Sequence, residues 1–273
     1  MKVIGTGDNV VDRYIDRRIM FPGGNAVNFA AYARRCGVES AYLGNIADDP
    51  EGHLVKESLE ELGVEVSECP YMAGLATERC DVVLNEGDRQ FVGSTYGPGT
   101  WKPFTIGEEH MDYLAGFDLI HCGCYGEMAD EIHKLEGIDA MKTYDFSCEE
   151  EYRTDEYLEK VCPYIDLALF SAEEMSEDEM ETVMRKAHDL GSGLVLVTMG
   201  TRGQLLWDGE IFHRGKVKLI EAVDTMGAGD SFFTAFAISL LRGLEYEAAF
   251  EYAADFSAKT CLTEGAFGFG KEY

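Results

Sequence analysis

The chain has 273 residues, of which 46% are hydrophobic and 11% aromatic, so it is long and apolar enough to form one or two globular domains with a substantial core. Its 51 acidic and 23 basic residues give a formal net charge of −28. This charge repels nucleic-acid phosphates and anionic lipid headgroups, so we expect neither a nucleic acid nor a membrane as a partner. Any phosphate ligand must be bound by local chemistry that overrides the overall charge.

The eight cysteines form no CxxC pair and no metal-binding spacing, which is typical of reduced thiols. The N-terminal sequence does not resemble a signal peptide, and no apolar run approaches the roughly 20 residues of a membrane span. We therefore expect a cytoplasmic protein.

Short apolar runs alternate with helical patterns along the chain. The helices are predicted at 25–36 and 50–62, and the strands at 2–5, 40–44, 119–122, 142–146, 167–170 and 194–198. The last strand reads LVLVT, apolar throughout, as in a strand buried on both faces of a parallel sheet. The alternation predicts an α/β fold, with a mainly parallel central sheet flanked by helices.

Two segments depart from this alternation. Residues 77–94 contain two strand-like runs around Asn85-Glu86-Gly87-Asp88, a turn sequence that predicts a hairpin. Residues 13–20 form another extended piece. We expect the two to pair into a small lid sheet inserted in a single domain of residues 1–273. The alternative is an ordinary edge hairpin of the main sheet.

The most informative stretch is AVDTMGAGDSFFTAFAISLLRG, residues 222–243. Gly227, Ala228 and Gly229 form a turn of small residues, and a long apolar helix is predicted from Asp230 to Gly243. Backbone N–H groups at such a helix start bind anions without any basic side chain. Asp230 is then placed to act as a general base, although an aspartate here is equally typical of a helix cap.

A second polar group lies near the N-terminus. The sequence PGGN gives a tight turn that admits a close ligand, and Asn25 and Asn28 follow it at the start of a helix. Amide side chains both donate and accept hydrogen bonds, as recognition of a polyol requires. Asp8 and Asp12 follow the first strand, where carboxylates suit sugar hydroxyls, although Asp12 alone is also typical of a turn.

Two motifs, GGNAVNFAAYARRCG and DTMGAGDSF, lie about two hundred residues apart. Together they resemble the two signatures of the ribokinase-like (PfkB) carbohydrate kinase family. The resemblance covers nearly the whole chain, including VTMGTRG at 197–203. GDNVVD, PGGNAVN and YDFS are more particularly similar to the fructoselysine kinases of that family. The resemblance implies a ribokinase-like three-layer α/β core with a small β-sheet lid.

The resemblance also implies site residues. Asp230 would be the base, and the turn of Gly227, Ala228 and Gly229 the anion hole. The sugar would be bound by Asp12, Gly24, Asn25 and Asn28. The nucleotide site would include Thr198, Gly200, Gly203 and Ser171.

The implied cofactors are ATP and Mg²⁺, with K⁺ as a further cation. Glu174 would hold Mg²⁺ through water, and Asp224 with the Met226 carbonyl would hold the monovalent cation. The segment Ser171-Ala172-Glu173-Glu174 departs from the family's N-x-x-E motif, because serine stands where the family has asparagine.

These features predict an ATP-dependent kinase that phosphorylates a primary hydroxyl, O6, of a fructosamine such as fructoselysine. The alternatives are a fructokinase or another sugar kinase of the family, and a catalytically silent sugar- or nucleotide-binding regulator. A sugar phosphate is a less favoured substrate because Arg79 and Arg89 form no basic cluster for a second phosphate. The lid would leave strand edges that a second copy could cover, giving a homodimer.

Overall fold

The computed structural model describes residues 1–85, 87–97 and 99–273. Glu86, within the predicted turn, lies outside the described residues. The α-helices are α1 (Asn25–Arg35), α2 (Pro50–Leu62), α3 (Glu108–Leu114), α4 (Asp155–Val161), α5 (Glu177–Asp189), α6 (Ala228–Leu241) and α7 (Tyr246–Thr260). The first strands are β1 (Lys2–Thr6), β2 (Val10–Tyr14), β3 (Ile19–Gly23), β4 (Glu39–Leu43), β5 (Ile46–Ala47), β6 (Tyr71–Met72), β7 (Glu78–Asn85) and β8 (Asp88–Tyr96). The remaining strands are β9 (Leu119–Gly123), β10 (Met141–Asp145), β11 (Leu167–Ser171), β12 (Leu194–Thr198), β13 (Gln204–Trp207), β14 (Phe212–Gly215) and β15 (Lys271–Glu272).

Eight strands form the central sheet, in the order β14-β13-β12-β11-β10-β9-β1-β4. The strands from β12 to β4 are parallel, and β13 pairs antiparallel with β12 and with β14. In β12, Val195 and Val197 join one hydrophobic cluster while Leu196 joins another. Both faces of this strand are therefore buried, which explains its unbroken apolar sequence.

Helices cover both faces of the central sheet. One hydrophobic cluster holds the sheet against α3, α4 and α5, and a second holds the opposite face against α1, α6 and α7. The third cluster packs α2 against the neighbouring strands β2 and β3. The predicted three-layer α/β architecture is confirmed. No helix in the described parts of the chain is long and apolar enough to cross a membrane.

A smaller sheet has the strand order β15-β3-β2-β7-β8. It contains the predicted hairpin, as β7 and β8, and β7 pairs with β2 as expected, but residues 13–20 are not one continuous extended piece. This piece spans the end of β2, a turn and the start of β3, because those strands pair antiparallel with Tyr14 opposite Ile19. Arg18 in the turn has a positive φ of 54°. The C-terminal β15 pairs with β3, which the sequence did not predict.

The sequence predicted some helix ends correctly and others incorrectly. Helix α2 has the predicted bounds, because the Asp49 carboxylate accepts from the Gly52 N–H and Gly63 ends the helix at φ 79°. Helix α6 begins at Ala228, two residues before the predicted start at Asp230. Asp230 therefore lies in the first turn of the helix and is not its cap. The cap is Gly227, with φ 69°.

Candidate active site

A cleft of about 1790 Å³ lies between the smaller sheet and the carboxyl ends of the central parallel strands. Ligands of open α/β sheets bind at these strand ends. Acidic side chains line the cleft throughout, and the basic residues of its described lining are Arg89 and Arg153. The Arg153 guanidinium donates hydrogen bonds to the carbonyls of Cys148 and Glu149. Arg89 lies near Thr225, at the end of the cleft where α6 begins.

The first turn of α6 opens into this cleft. Gly227, Gly229 and Asp230 line it, and the early N–H groups of a helix have no acceptor within the helix. A Cβ atom on Gly229 would meet no atom within 4 Å, so the cleft beside it is open. Ala228 differs, because its N–H donates to the Thr225 carbonyl at 3.1 Å. Of the predicted anion-hole residues, Gly227 and Gly229 line the cleft, whereas Ala228 is not part of its described lining and has a paired N–H.

Two asparagines hold the Asp230 carboxylate. Asn28 Nδ2 donates to Oδ2 at 2.6 Å, and Asn25 Nδ2 donates to Oδ1 at 3.2 Å. Enclosure in the cleft raises the pKa of Asp230 to about 6, and the Asn28 bond opposes this rise because it stabilises the charged form. A carboxylate with this pKa is ionised at neutral pH and can still accept a proton.

Two buried polar groups nearby lack partners within the described chain. Asn28 Oδ1 accepts no hydrogen bond, and no described donor bonds the carboxylate of Asp12, whose residue is 4% exposed. Burial raises the pKa of Asp12 to about 7, and the Asp230 charge adds to the rise. Buried polar groups in proteins are normally paired, so these atoms are available to hydrogen-bond with a ligand in the cleft.

Gly24 and Asp8 fix the start of α1. Gly24 has φ 107°, and a Cβ there would lie 2.9 Å from Asp8 Oδ2, so a side chain would disturb the turn. The Asp8 carboxylate accepts from the N–H groups of Asn25 and Ala26 at 2.7 and 3.1 Å. Asp8 thus caps the start of α1 and orients Asn25, while it also lines the cleft.

The predicted nucleotide residues lie at the carboxyl ends of β11 and β12. Ser171 lines the cleft, and its hydroxyl is 3.4 Å from that of Thr198 on the next strand. Gly200 begins a short 3₁₀ turn and Gly203 follows its end, and neither is part of the described cleft lining. Arg202, within that turn, donates to the carbonyls of Ala172 and Glu173. The turn is therefore tied to the cleft wall.

Asp224 is buried close to the start of α6. Its Oδ2 accepts from the Tyr14 hydroxyl at 2.6 Å and from the Gly265 N–H at 2.8 Å, and its Oδ1 accepts from the Met226 N–H at 2.9 Å. Three protein donors therefore point at this carboxylate. They link the smaller sheet, through Tyr14, to the residues that lead into α6.

Sequence reasoning missed two residues of this site. Asp145, at the end of β10, lines the cleft and accepts from Asn25 Nδ2 at 2.6 Å. His121, on β9, is buried with its Nε2 2.8 Å from Asn25 Oδ1. Asp145 was present in the quoted YDFS motif, but nothing in the sequence placed β10 beside α1 and α6.

Comparison with known proteins gives relatives along the whole chain. The model of the pfkB family carbohydrate kinases matches residues 2–268. The chain is 35% identical to the fructosamine kinase FrlD of Bacillus subtilis, covering 100% of this chain and 95% of that protein. It is 33% identical to the fructoselysine 6-kinase of Escherichia coli, covering 98% of this chain and 100% of that protein.

A solved structure has the same fold. It is a putative ribokinase II from E. coli in complex with ATP and Mg²⁺, with a TM-score of 0.78 and 20% identity over 97% of this chain and 94% of that one. The family match and the two relatives extend over both polar groups of the cleft. The chain therefore belongs to the pfkB family of carbohydrate kinases and is a phosphotransferase.

Proposed function

We propose that this kinase transfers the γ-phosphoryl group of ATP to O6 of a fructosamine such as fructoselysine. The observation that carries the proposal is the position of Asp230, which lies in the first turn of α6 beside the unpaired buried Asp12 and Asn28 Oδ1. A base, an anion site and sugar-binding groups thus converge in one cleft. The two relatives at 33–35% identity, named for fructoselysine and fructosamine, support this substrate class.

In the proposed mechanism, Asp12, Asn28 and the turn at Gly24 bind the sugar hydroxyls. Asp230 takes the proton of the attacking hydroxyl as that oxygen forms its bond to the γ-phosphorus, while the bond from this phosphorus to the β–γ bridging oxygen breaks and ADP leaves. The N–H groups of Gly227 and Gly229 stabilise the charge on the phosphoryl oxygens. We also propose that the smaller sheet acts as a lid that excludes water from this step.

The nucleotide would lie along the carboxyl ends of β11 and β12, with Ser171 and Thr198 beside its phosphates. Among the described residues, no group of three or more His, Cys, Asp or Glu side chains is arranged to hold a metal ion. Glu173 and Glu174 line the cleft there, and their oxygens suit Mg²⁺ bound through water and phosphate. The chemistry supplied by Mg²⁺ would be neutralisation of the phosphate charge.

The monovalent cation implied by the resemblance is not required to orient Asp224. Its carboxylate oxygens face the O–H and N–H donors of Tyr14, Met226 and Gly265, which orient the side chain without an ion. We therefore expect kcat to be the same in K⁺ and Na⁺ salts, measured at constant ionic strength with saturating ATP, Mg²⁺ and sugar. A severalfold activation by K⁺ over Na⁺ would contradict this expectation.

The direction of the sugar in the cleft follows from the smaller sheet. On the paired strands β2 and β7, Asp12 lies opposite Cys80 and Val10 lies opposite Glu78. Glu78 is therefore displaced from Asp12 by two residues toward Val10, which is about 6.6 Å along the strand direction. Tyr14 marks the opposite direction, since its hydroxyl bonds Asp224 near the start of α6. A hexose with its acceptor hydroxyl at Asp230 would extend its other end toward Glu78.

Glu78 is the acidic residue we assign to the substrate's amine. It is half-buried, lines the cleft and lies opposite Tyr96 of the neighbouring strand β8. The secondary amine of a fructosamine is protonated at neutral pH, so an acidic wall attracts it, whereas fructose carries no charge there.

The experiment measures ATP consumption with fructoselysine, other fructosamines, fructose and ribose. We expect the highest kcat/KM with a fructosamine. Glu78→Gln is expected to raise KM for that substrate about tenfold, which corresponds to about 1.4 kcal/mol of lost ionic interaction, and to leave fructose turnover unchanged. Glu57→Gln, an exposed change on α2, is the matched control. Preference for fructose over every fructosamine would favour the fructokinase alternative, and no turnover of any sugar would overturn the proposal.

Two further expectations remain predictions. A homodimer through the smaller sheet would use β8, whose described residues are exposed along the sheet edge and include Val92 at 55%. The cytoplasmic location agrees with the cysteines, all eight of which are free thiols.

A further inference from the structure

Asp145 has no role in the mechanism above, although it faces the same cleft. It ends β10, is 7% exposed and lines the cleft. Its Oδ2 accepts from Asn25 Nδ2 at 2.6 Å, and its Oδ1 accepts from the Ser147 N–H at 2.7 Å. Each carboxyl oxygen keeps a further hydrogen-bonding position. A ligand in the cleft can therefore bond to Asp145 without displacing either partner.

One amide group joins Asp145 to the base. Asn25 Nδ2 has two hydrogens, and it donates to Asp145 at 2.6 Å and to Asp230 Oδ1 at 3.2 Å. The two carboxyl groups thus lie on either side of a single NH₂ group. Any group that orients the Asn25 amide sets the positions of both.

His121 orients that amide. Its Nε2 is 2.8 Å from Asn25 Oδ1, and its Nδ1 is 2.9 Å from the Thr143 hydroxyl. Since the amide oxygen only accepts, the Nε2 carries the proton, and the Nδ1 accepts from Thr143. Phe29 stacks on the ring with centroids 4.4 Å apart. Burial lowers the pKa of His121 to about 3, so the ring is neutral and keeps this tautomer.

We propose that Asp145 binds the acceptor sugar directly, as a second carboxyl group beside Asp230, and that Thr143 and His121 position both groups through Asn25. The inference rests on the proposed sugar kinase function. It adds a sugar-binding residue and two positioning residues to that site.

The protonation states of the two carboxyl groups support complementary roles. Burial raises the pKa of Asp145 to about 8, and the Asp230 charge adds to this rise. The groups that face Asp145 are acidic or neutral, namely Asp8, Asp230, Cys124, Asn25 and the Ser147 N–H. The two shifts favour a protonated Asp145 beside an ionised Asp230 near neutral pH. A protonated carboxyl can donate a hydrogen bond to a sugar oxygen, and Asp230 remains able to accept the proton of the acceptor hydroxyl.

A purely structural role for Asp145 is the competing explanation. The bond from the Ser147 N–H resembles a turn contact that aspartate often makes after a strand. Such a role predicts a loss of stability and similar changes in KM for sugar and for ATP. A sugar-binding role predicts a change in the sugar KM alone.

The test compares Asp145→Ala and Asp145→Asn with the wild type, with the sugar that the wild type phosphorylates best. Asp166→Asn is the matched control, since Asp166 accepts from the Lys142 N–H at the opposite end of the sheet. We expect Asp145→Ala to raise the sugar KM about thirtyfold, because it removes a contact and leaves Asn25 unpaired, with the ATP KM unchanged. Asp145→Asn introduces a neutral group of the same shape, so its sugar KM should lie between the values of the wild type and of Asp145→Ala.

His121→Leu tests the positioning step separately. Without the His121 donor the Asn25 amide is free to rotate away from Asp230. The Asn25 bond lowers the pKa of Asp230, so its loss raises that pKa and moves the acid limb of the kcat/KM profile to higher pH. An acid limb at the wild-type pH would overturn the positioning role.

The direct role fails if Asp145→Ala keeps the wild-type sugar KM, or if it raises the KM values of sugar and ATP equally. If Asp145→Ala does not melt cooperatively, Asp145→Asn decides by the same ratio of sugar to ATP KM. Wild-type turnover tests the proposed function, and this ratio tests the inference, so the second can fail while the first holds. If the wild type phosphorylates no sugar, both are wrong.

Discussion

Asp230→Asn is expected to reduce kcat by about 10³-fold, the usual contribution of a general base in an active site. The amide has nearly the same shape but cannot take the proton of the acceptor hydroxyl. The sugar KM should change little, because Asp12 and Asn28 remain. Steady-state ATP consumption and sugar binding by calorimetry measure the two effects.

Asp189→Asn, an exposed change at the end of α5, controls for the loss of one negative charge. A variant Asp230→Asn with wild-type kcat would exclude Asp230 as the base. A variant that no longer binds sugar would instead indicate that Asp230 acts mainly in binding.

The ionisation of Asp230 also determines how kcat/KM depends on pH. Asp230 acts only when ionised, and its pKa is raised to about 6. Protonation below that pH removes the base, so kcat/KM should fall on the acid side in proportion to the ionised fraction of Asp230. A profile of kcat/KM from pH 4.5 to 8 measures this. An acid limb near the ordinary aspartate pKa would contradict the burial of Asp230 in the free enzyme.

Gly227→Ala is the second change with a large expected effect. Gly227 has φ 69°, and a Cβ there would lie 2.2 Å from the Tyr32 hydroxyl and 3.0 Å from Ala266 Cβ. The chain must move at the start of α6, which displaces the anion-binding N–H groups. We expect kcat to fall about 10²-fold and the free energy of unfolding to fall by about 1–3 kcal/mol. Urea denaturation and steady-state kinetics give the two values.

Tyr32→Phe provides the matched control. The Tyr32 hydroxyl has no partner within the described chain, so its removal alone should have little effect. In the double variant with Gly227→Ala the closest clash is absent, and part of the lost stability should return. Equal stability of the double variant and Gly227→Ala would show that the clash with Tyr32 is not the cause.

Much of the fold was predictable because its signals are local. The alternation of apolar runs with helical patterns gave the central strands, and the Asp49 cap and Gly63 stop gave both ends of α2. The glycine turn at the start of α6 was predictable for the same reason, because small residues stand directly before a long apolar run.

The errors concern pairing between distant segments. The segment at 13–20 reads as extended because its sequence does not reveal that Tyr14 and Ile19 lie opposite each other in a hairpin. Strand β15, only two residues long, exists because it pairs with β3. Such contacts are set by tertiary structure, which outweighs local preference.

The roles of individual polar residues were also hidden. Asp8 and Asp12 look alike in GDNVVD, yet one caps α1 and the other is buried without a described partner. Asp145 and His121 join the site through Asn25, which is about a hundred residues away in the chain. Identical side chains have different roles because their neighbours differ, and those neighbours are known only from the folded structure.

The most direct test of the account is the position of the phosphate on the product. The wild-type enzyme is incubated with fructoselysine, ATP and Mg²⁺, and the product is analysed by ³¹P and ¹³C NMR beside an Asp230→Asn reaction. We predict a single product with phosphate on the sugar's O6 from the wild type and none from the variant. Phosphate on another oxygen, equal product from the variant, or no phosphorylated sugar from the wild type would contradict the account.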